Sequence, residues 1–327
     1  MSKTIAIPRL NALSYTLFTG ATYDSVTDSI TNVGTLKNSL FGNTIHISEQ
    51  QLTFCQKVET ADELNAIYAI VTGPREYNPI TAANIYDHSG ALVANIPLLE
   101  SGTYTDYELV EWTYYLVRQY LNALEIGGSE VVLPDGIYYL GIHYTDDTLS
   151  GAADLFLSEP IYVQAEHKDT ILMRWLNDTN DFDILFSELP AGWAFSQRFD
   201  GGFESEGYSP KVLDEIYMDI IQNPVLLSSK PYDTKKVTYG RARGIPNYQA
   251  SIVNRIWACT NVYIDDLRHC KVPGAKLEPT RTKFYPLAGW RVEVMESFEN
   301  WSQYRYRVEK ILGYGKYAFR GIDLIRA

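Results

Sequence analysis

Long stretches of this chain alternate apolar and polar residues with a period of two, and the clearest begins at Leu133, in LPDGIYYLGIHY. Pro134-Asp135-Gly136 reads as a turn, since Pro presets φ and Gly accepts a positive one. Beyond it Tyr138, Leu140, Ile142 and Tyr144 fall on one side of an extended run, with Ile137, Tyr139, Gly141 and His143 on the other. Successive side chains of a strand point to opposite faces, so this predicts a half-buried strand. A polar connection follows, then a second extended run from Leu155 to Val163. Together they predict a hairpin of a small β-sandwich.

Weaker signals of the same kind fill most of the chain. Residues 1–60 carry short apolar runs at Ile5–Ile7, Ser14–Phe18 and Thr44–Ile47, which predict strands joined by long connections. Residues 66–72 (AIYAIVT) and 83–86 (ANIY) predict strands, broken by Gly73-Pro74 and His88-Ser89-Gly90, with Ala91–Pro97 as a return strand. The segment Leu109–Ile126 departs from this rhythm. Leu109, Trp112, Leu116, Tyr120 and Leu124 recur at three- and four-residue steps, which predicts an inserted helix stopped by Gly127-Gly128. The β-formers Thr113, Tyr114 and Tyr115 keep a strand open there.

In the second half, Thr170–Leu176 and Phe182–Phe186 predict strands around the polar turn NDTND. Residues 209–220 are ambiguous: Val212, Ile216 and Ile220 suit a helix, whereas Ile216, Met218 and Ile220 also alternate. Lys236–Tyr239 predicts a strand ending at Gly240. Pro246 opens the best helix, with Tyr248, Ile252, Ile256 and Cys259 on one face, because Pro suits the first turn. Asn261–Asp265 and Pro286–Met295 predict further strands, and Tyr304–Val308 with Tyr317–Ile325 a terminal hairpin.

The fold class expected is therefore mainly β. An N-terminal immunoglobulin-like β-sandwich would be followed by a second β-rich (α+β) domain with one packed helix. The expected divisions are residues 1–60 (strands and connections), 61–165 (sandwich with the helix near 109–126), 166–296 (second domain, helix near 246–258) and 297–327 (hairpin or arm). Charge adds a boundary near Glu166-His167-Lys168. Residues 1–165 carry 6 Lys/Arg against 19 Asp/Glu, net −13, while residues 166–327 carry 22 against 21, net +1. Such an acidic front repels phosphates, so nucleic acid is not an expected partner. No run approaches the roughly 18–20 apolar residues that span a bilayer, and membrane insertion is not expected. The first 18 residues lack the basic, apolar and small-residue regions of a secretory signal. Cys55, Cys259 and Cys270 make an odd set without CxxC spacing, so reduced thiols in a cytoplasm are expected.

Chemistry is less legible. The chain has no GxSxG, HExxH, GxxxxGK[ST] or GxGxxG, and the five histidines are scattered. The run Asn177–Asp183 is rich in oxygen donors, but a calcium loop needs Gly at its sixth position, where Phe182 stands. It reads as an Asx-rich turn. Carboxylate pairs such as Glu204/Glu206 and Asp265/Asp266 lie in loops. No catalytic residue, metal ligand or cofactor is expected. The C-terminal stretch is more suggestive, since Trp301, Tyr304, Arg305, Tyr306, Arg307, Tyr317, Phe319 and Arg320 mix arginine with aromatics as interface centres do. These residues form the expected interface. Trp112, Trp193, Trp290 and Trp301 offer stacking platforms for a glycan.

Several linked phrases carry a resemblance: LPDGIYYLGIHY and SEPIYV, then TILMRWLNDTNDFDILF, LLSSKPYDTKKVTYGRARGIPNYQASIVNRIWACTNVYIDD and EPTRTKFYPLAGWRVEV. From about Leu133 to Met295 the chain resembles virion tail proteins of phages and prophages of Bacteroidetes hosts, crAss-like phages included. Residues 1–60 and 297–327 lie outside the resemblance, and Leu109–Ile126 looks like an insertion. The resemblance implies a tail, ring or baseplate component, assembled in the host cytoplasm and located in the virion. Its implied partners are copies of itself and neighbouring tail proteins. A host-surface glycan is the alternative partner, and a tail-borne glycosidase the remaining alternative. No active-site residues come with it.

Overall fold

The computed structural model describes residues 56–60, 66–75, 80–106, 109–121, 124–126, 129–145, 153–179, 184, 186–190, 193–205, 208–240, 244–280 and 287–300, with the backbone of short strands before them. The chain divides into two compact units, Met1–Phe199 and Asp200–Ala327. The charge step at Glu166–Lys168 falls inside the first of these.

The first unit opens with short strands β1 (Tyr15–Phe18), β2 (Tyr23–Asp24), β3 (Ser29–Ile30), β4 (Thr35–Asn38) and β5 (Asn43–His46). There follow β6 (Gln56–Glu59), β7 (Ala66–Pro74), β8 (Ile80–Asp87), β9 (Leu92–Ile96), β10 (Leu99–Thr105) and β11 (Glu111–Tyr120). Next come β12 (Leu124–Ile126), β13 (Ser129–Val131), β14 (Gly136–Thr145), β15 (Ala153–Ser158), β16 (Ile161–Gln164) and β17 (Thr170–Leu176), and then β18 (Phe195–Phe203).

Two of these sheets make a sandwich. One has the order β10-β11-β7, and in the other β9, β8 and β14 pair in turn, all antiparallel. β15 and then β16 follow one another along the far edge of β14. β6 lies beside β16 and runs parallel to it. This strand order is that of an immunoglobulin-like sandwich. Between the sheets, Ile67, Ala69 and Val71 of β7 and Val117 of β11 join Ile85, Leu140, Ile142, Ile161 and Val163 in one buried cluster. Burial of that apolar surface at roughly 25 cal/mol per Å² is what holds the layers together.

The turn before β14 is fixed by a single side chain. The Tyr138 hydroxyl donates to the Pro134 carbonyl at 2.9 Å, the tyrosine corner that such sandwiches use at the entry to this strand. Further along β14, Gly141 has no room for a side chain, because a Cβ would sit 2.6 Å from the Tyr86 ring. Where β15 gives way to β16, the Leu140 N–H donates to Ser158 Oγ at 2.9 Å, so a side chain fills the break in the ladder.

The inserted helix expected over Leu109–Ile126 is absent; the segment forms β11 and β12. β11 pairs with both β10 and β7, and its residues Thr113–Val117 are buried on both faces. A strand covered on both sides needs no polar alternation, so its apolar residues mimic a helical face by chance. Leu109 instead adopts φ 63 in a tight turn. In that turn Asp106 accepts the Val110 N–H at 3.0 Å and the Trp112 indole N–H at 2.8 Å.

An ion pair secures β6. Arg198 lies 2.7 Å from Glu59, and both side chains are about nine-tenths buried. Glu59 also accepts the His167 N–H at 2.7 Å, and Arg198 donates to Thr170 Oγ1 at 3.2 Å. At the other edge, Phe186–Glu188 forms a turn of 3₁₀ helix, and Ser101 of β10 donates to the Glu188 carbonyl; of the strand expected over 182–186, residues 182, 183 and 185 lie outside the described residues.

The second unit continues from the end of β18 with β19 (Ser209–Met218), β20 (Pro224–Tyr239), α1 (Asn247–Ile256), β21 (Asn261–Ile264), β22 (Leu267–Lys271), β23 (Glu278–Thr280) and β24 (Gly289–Asn300). Its sheet runs β19-β20-β24-β22-β21, with β23 also on β24. Residues 209–218, ambiguous by periodicity, are thus strand. The helix is where Pro246 predicts it, with Ala250, Val253 and Ile256 buried. Gly240 turns the chain at φ 78, and a Cβ there would lie 2.7 Å from the Gly244 backbone. At the end of the helix the Trp257 indole N–H donates to the buried Tyr239 hydroxyl at 2.9 Å.

Candidate functional site

Among the described residues most strands have a buried face, and several, such as β11, have two. The hairpin β19–β20 lacks one over its distal part, as do the shorter β10, β13 and β23, and it is the longest of these among the described residues. It is rooted where Thr234 is fully buried, with its hydroxyl 2.9 Å from the Ser209 carbonyl and 2.8 Å from the Glu293 carboxylate. Lys211 adds an ion pair to Glu293 at 2.6 Å. The hydrogen bond from Lys211, with that from Thr234, holds the Glu293 carboxyl below its ordinary range. From this root the two strands run out as a ribbon.

Ten residues of β19, from Ser209 to Met218, pair antiparallel with Pro224–Thr234. At about 3.3 Å per residue the ribbon is roughly 30 Å long. Leu227 is an extra residue opposite the Glu215/Ile216 junction, a β-bulge of the kind that increases local twist. Directly opposed polar pairs mark the middle: Ser229 donates to Asp214 at 2.7 Å and Ser228 to Glu215 at 3.2 Å. Beyond them the ribbon turns apolar. Ile216, Met218 and Leu226 lie towards one face, Tyr217 and Val225 towards the other, and all five are exposed.

The tip is ordered by Asp219, whose carboxylate accepts the N–H groups of Ile221 at 2.9 Å and Asn223 at 2.8 Å. Gln222 takes the positive φ of 64 that closes the loop. With Asp219 occupied in this way, the loop presents Ile220, 100% exposed, and Ile221, 76% exposed. The twelve residues 216–227 (IYMDIIQNPVLL) contain one charge, that of Asp219. An uncovered apolar patch of this kind marks an interaction site.

The backbone is uncovered as well. β19 is the terminal strand of its sheet, and on the other side β24 pairs with β20 only from Thr234 onward. Among the described residues, both edges of the ribbon therefore lack a neighbour over its length. Lone two-stranded ribbons are marginal in water, so this one depends on its root or on a partner.

The residues expected to form the interface (Trp301, Tyr304, Arg305, Tyr306, Arg307, Tyr317, Phe319 and Arg320) lie outside the described residues. Of the glycan platforms, Trp193 is 5% exposed and cannot stack on a sugar. Trp112 is half-buried and stacked on Tyr104, ring centres 6.2 Å apart. Asp265 and Asp266 are the two central residues of the β21–β22 turn, at φ 45 and 76, which is the mirror-image turn such hairpins favour. Asn177 Nδ2 donates to the Thr179 carbonyl at 3.1 Å and to its hydroxyl at 2.8 Å, so this side chain is engaged within its own turn. His143 sits 2.6 Å from the Tyr86 hydroxyl within a buried cluster that includes Asn84.

The ribbon was not singled out from the sequence. Its signal was there: an apolar run in both phases of the alternation, interrupted by DIIQN and flanked by Asp214-Glu215 and Ser228-Ser229. A run without polar alternation reads as a buried segment, and only the structure reveals it as bare. No helix among the described residues is long and apolar enough to cross a membrane. The fold and site together define a β-sandwich protein that carries a projecting apolar ribbon on a second β-unit. Comparison with protein-family models, with curated proteins and with solved structures gives no match to this chain.

Proposed function

We propose that this chain is a structural subunit of a bacteriophage virion, a tail, ring or baseplate component that acts by joining copies of itself and neighbouring tail proteins. The observation that carries the reading is the ribbon of β19 and β20, whose distal half exposes apolar side chains on both faces. A protein that worked alone in water would gain nothing from it. The resemblance of Leu133–Met295 to virion tail proteins supplies the setting. Sandwiches of this kind serve widely as rigid platforms that hold surfaces in place. In this reading the work is contact, not catalysis.

Purified particles of the phage or induced prophage, digested and analysed by mass spectrometry, provide the test. Peptides of this chain are expected at many copies per particle, in the tail fraction. Their absence from purified particles would end the proposal.

A further inference from the structure

The occupant of the ribbon follows from its edges. Resting on the virion reading above, we infer that the partner is a second copy of this chain, and that ribbons from successive copies pair edge to edge, β19 of one against β20 of the next. The copies then close into a ring lined by a continuous β-wall.

The geometry makes this pairing self-consistent. If several copies stand around one axis with their ribbons pointing the same way, β19 runs from root to tip and the neighbouring β20 runs from tip to root. The new pair is therefore antiparallel, like the pair inside each ribbon, and the sheet continues without a change of hydrogen-bond pattern. The contact joins two different edges, so it is heterologous, and repetition closes a ring if the rotation permits. Closure leaves no ribbon edge unpaired.

Of the two edges, that of β19 carries little protection against such pairing, whereas β20 carries Pro224, Lys230, Pro231 and the Leu227 bulge. Natural edge strands are blunted by prolines, lysines or bulges. Here β19 has no proline between Pro210 and its tip, and β20 has none between Pro224 and Pro231. Lys211 is the only lysine of β19 and is already paired with Glu293 at the root.

A lipid bilayer is the other apolar environment the tip could enter, and two observations weigh against it. Lipid offers no hydrogen bonds, so the two open backbone edges of a single ribbon would be stranded there. Residues 209–234 carry two Lys against four Asp/Glu, net −2, the wrong sign for an anionic membrane surface.

The test uses the full-length protein and four variants that alter only ribbon residues. Mass photometry and negative-stain electron microscopy of the unaltered chain should show rings, with masses at multiples of 37.1 kDa. Replacing residues 212–231 by Asn-Gly, which keeps the Lys211 root, should shift the population to monomers with an unchanged circular dichroism spectrum of the remaining β-structure. Ile216→Lys with Leu226→Lys should weaken assembly by at least tenfold in concentration. In a mixing experiment, protein carrying Tyr217→Cys is combined with protein carrying Val225→Cys, then oxidised, and linked peptides are identified by mass spectrometry. Links between positions 217 and 225 in the mixture support head-to-tail pairing; links of 217 to 217 alone indicate a two-fold contact and overturn it.

Rings that persist in the shortened variant would place assembly elsewhere and sink this inference while leaving the virion reading intact. A monomer at all concentrations, or a monomer that floats with phosphatidylcholine vesicles only when its ribbon is whole, would also overturn it. Absence of the chain from purified particles would remove the virion reading, and the ring measurement would still decide the pairing.

Discussion

Glu59→Gln isolates the contribution of charge at the buried pair that ties β6 to the end of the first unit. Glutamine keeps the shape, and its carbonyl oxygen can still accept the His167 N–H that Glu59 holds at 2.7 Å. What disappears is the negative charge 2.7 Å from Arg198, in a site where both side chains are about nine-tenths buried. Removing one member of a buried pair strands the other charge, which costs about 3–5 kcal/mol. Because Arg198 retains its bond to Thr170, the lower end is expected, about 3 kcal/mol. For a unit of this size that lowers its Tm by roughly 6–12 °C. Thermal melting gives the shift. Hydrogen exchange read by mass spectrometry locates it, with faster exchange expected in peptides covering 56–60 and 161–167. A cycle with Arg198→Gln completes the argument, since the double variant should be less destabilised than the sum of the singles by about 2 kcal/mol. A loss below about 1 kcal/mol for Glu59→Gln, the size seen for exposed pairs, would refute the reasoning.

Three other outcomes can be checked directly. Tyr138→Phe removes the bond to the Pro134 carbonyl and should cost about 1 kcal/mol in a urea melt, with the fold unchanged; no loss would mean that the corner is not held by this hydroxyl. Burial pushes the imidazoles of His167 and His269 below their ordinary value of 6.5. The unfolded chain then binds more protons below 6.5, so stability is full above that pH and declines as pH falls through it towards the folded-state values, flattening below them. Urea midpoints at pH 7.5 and pH 5.5 measure this, and equal midpoints would contradict it. Burial raises the Cys259 thiol to about 12, whereas Cys270 is exposed and raised less, so maleimide should label Cys270 well before Cys259 in the native protein.

Much of the fold was legible because β-forming runs are bounded by clear turn residues. In β14 one set of alternating residues, Tyr138, Leu140 and Ile142, faces the core, but Tyr139, Gly141 and His143 on the other side are buried too, so the strand is not half-buried as expected; the turn residues before it mark its start. Thr170–Leu176 and the helix after Pro246 also stand where the pattern places them. Reading failed where apolar residues of a strand also recur at helical spacing or run on in both phases of the alternation. β11 is buried on both faces and so lost its period of two, and the β19–β20 ribbon is apolar on both faces for the opposite reason. Composition cannot distinguish these cases. The candidate site is illegible in the sequence on this account, whereas the aromatic and basic residues beyond position 300 stand out by composition.

The parallel ladder between Gln56–Glu59 and Ile161–Gln164 has a mechanical meaning. These strands are the first and last of the sandwich and point the same way, so tension applied to the chain at its two ends drags them past one another lengthwise. The bonds between them then share the load and must rupture together, instead of unzipping one by one. Stretching the sandwich along its chain therefore meets its stiffest seam first.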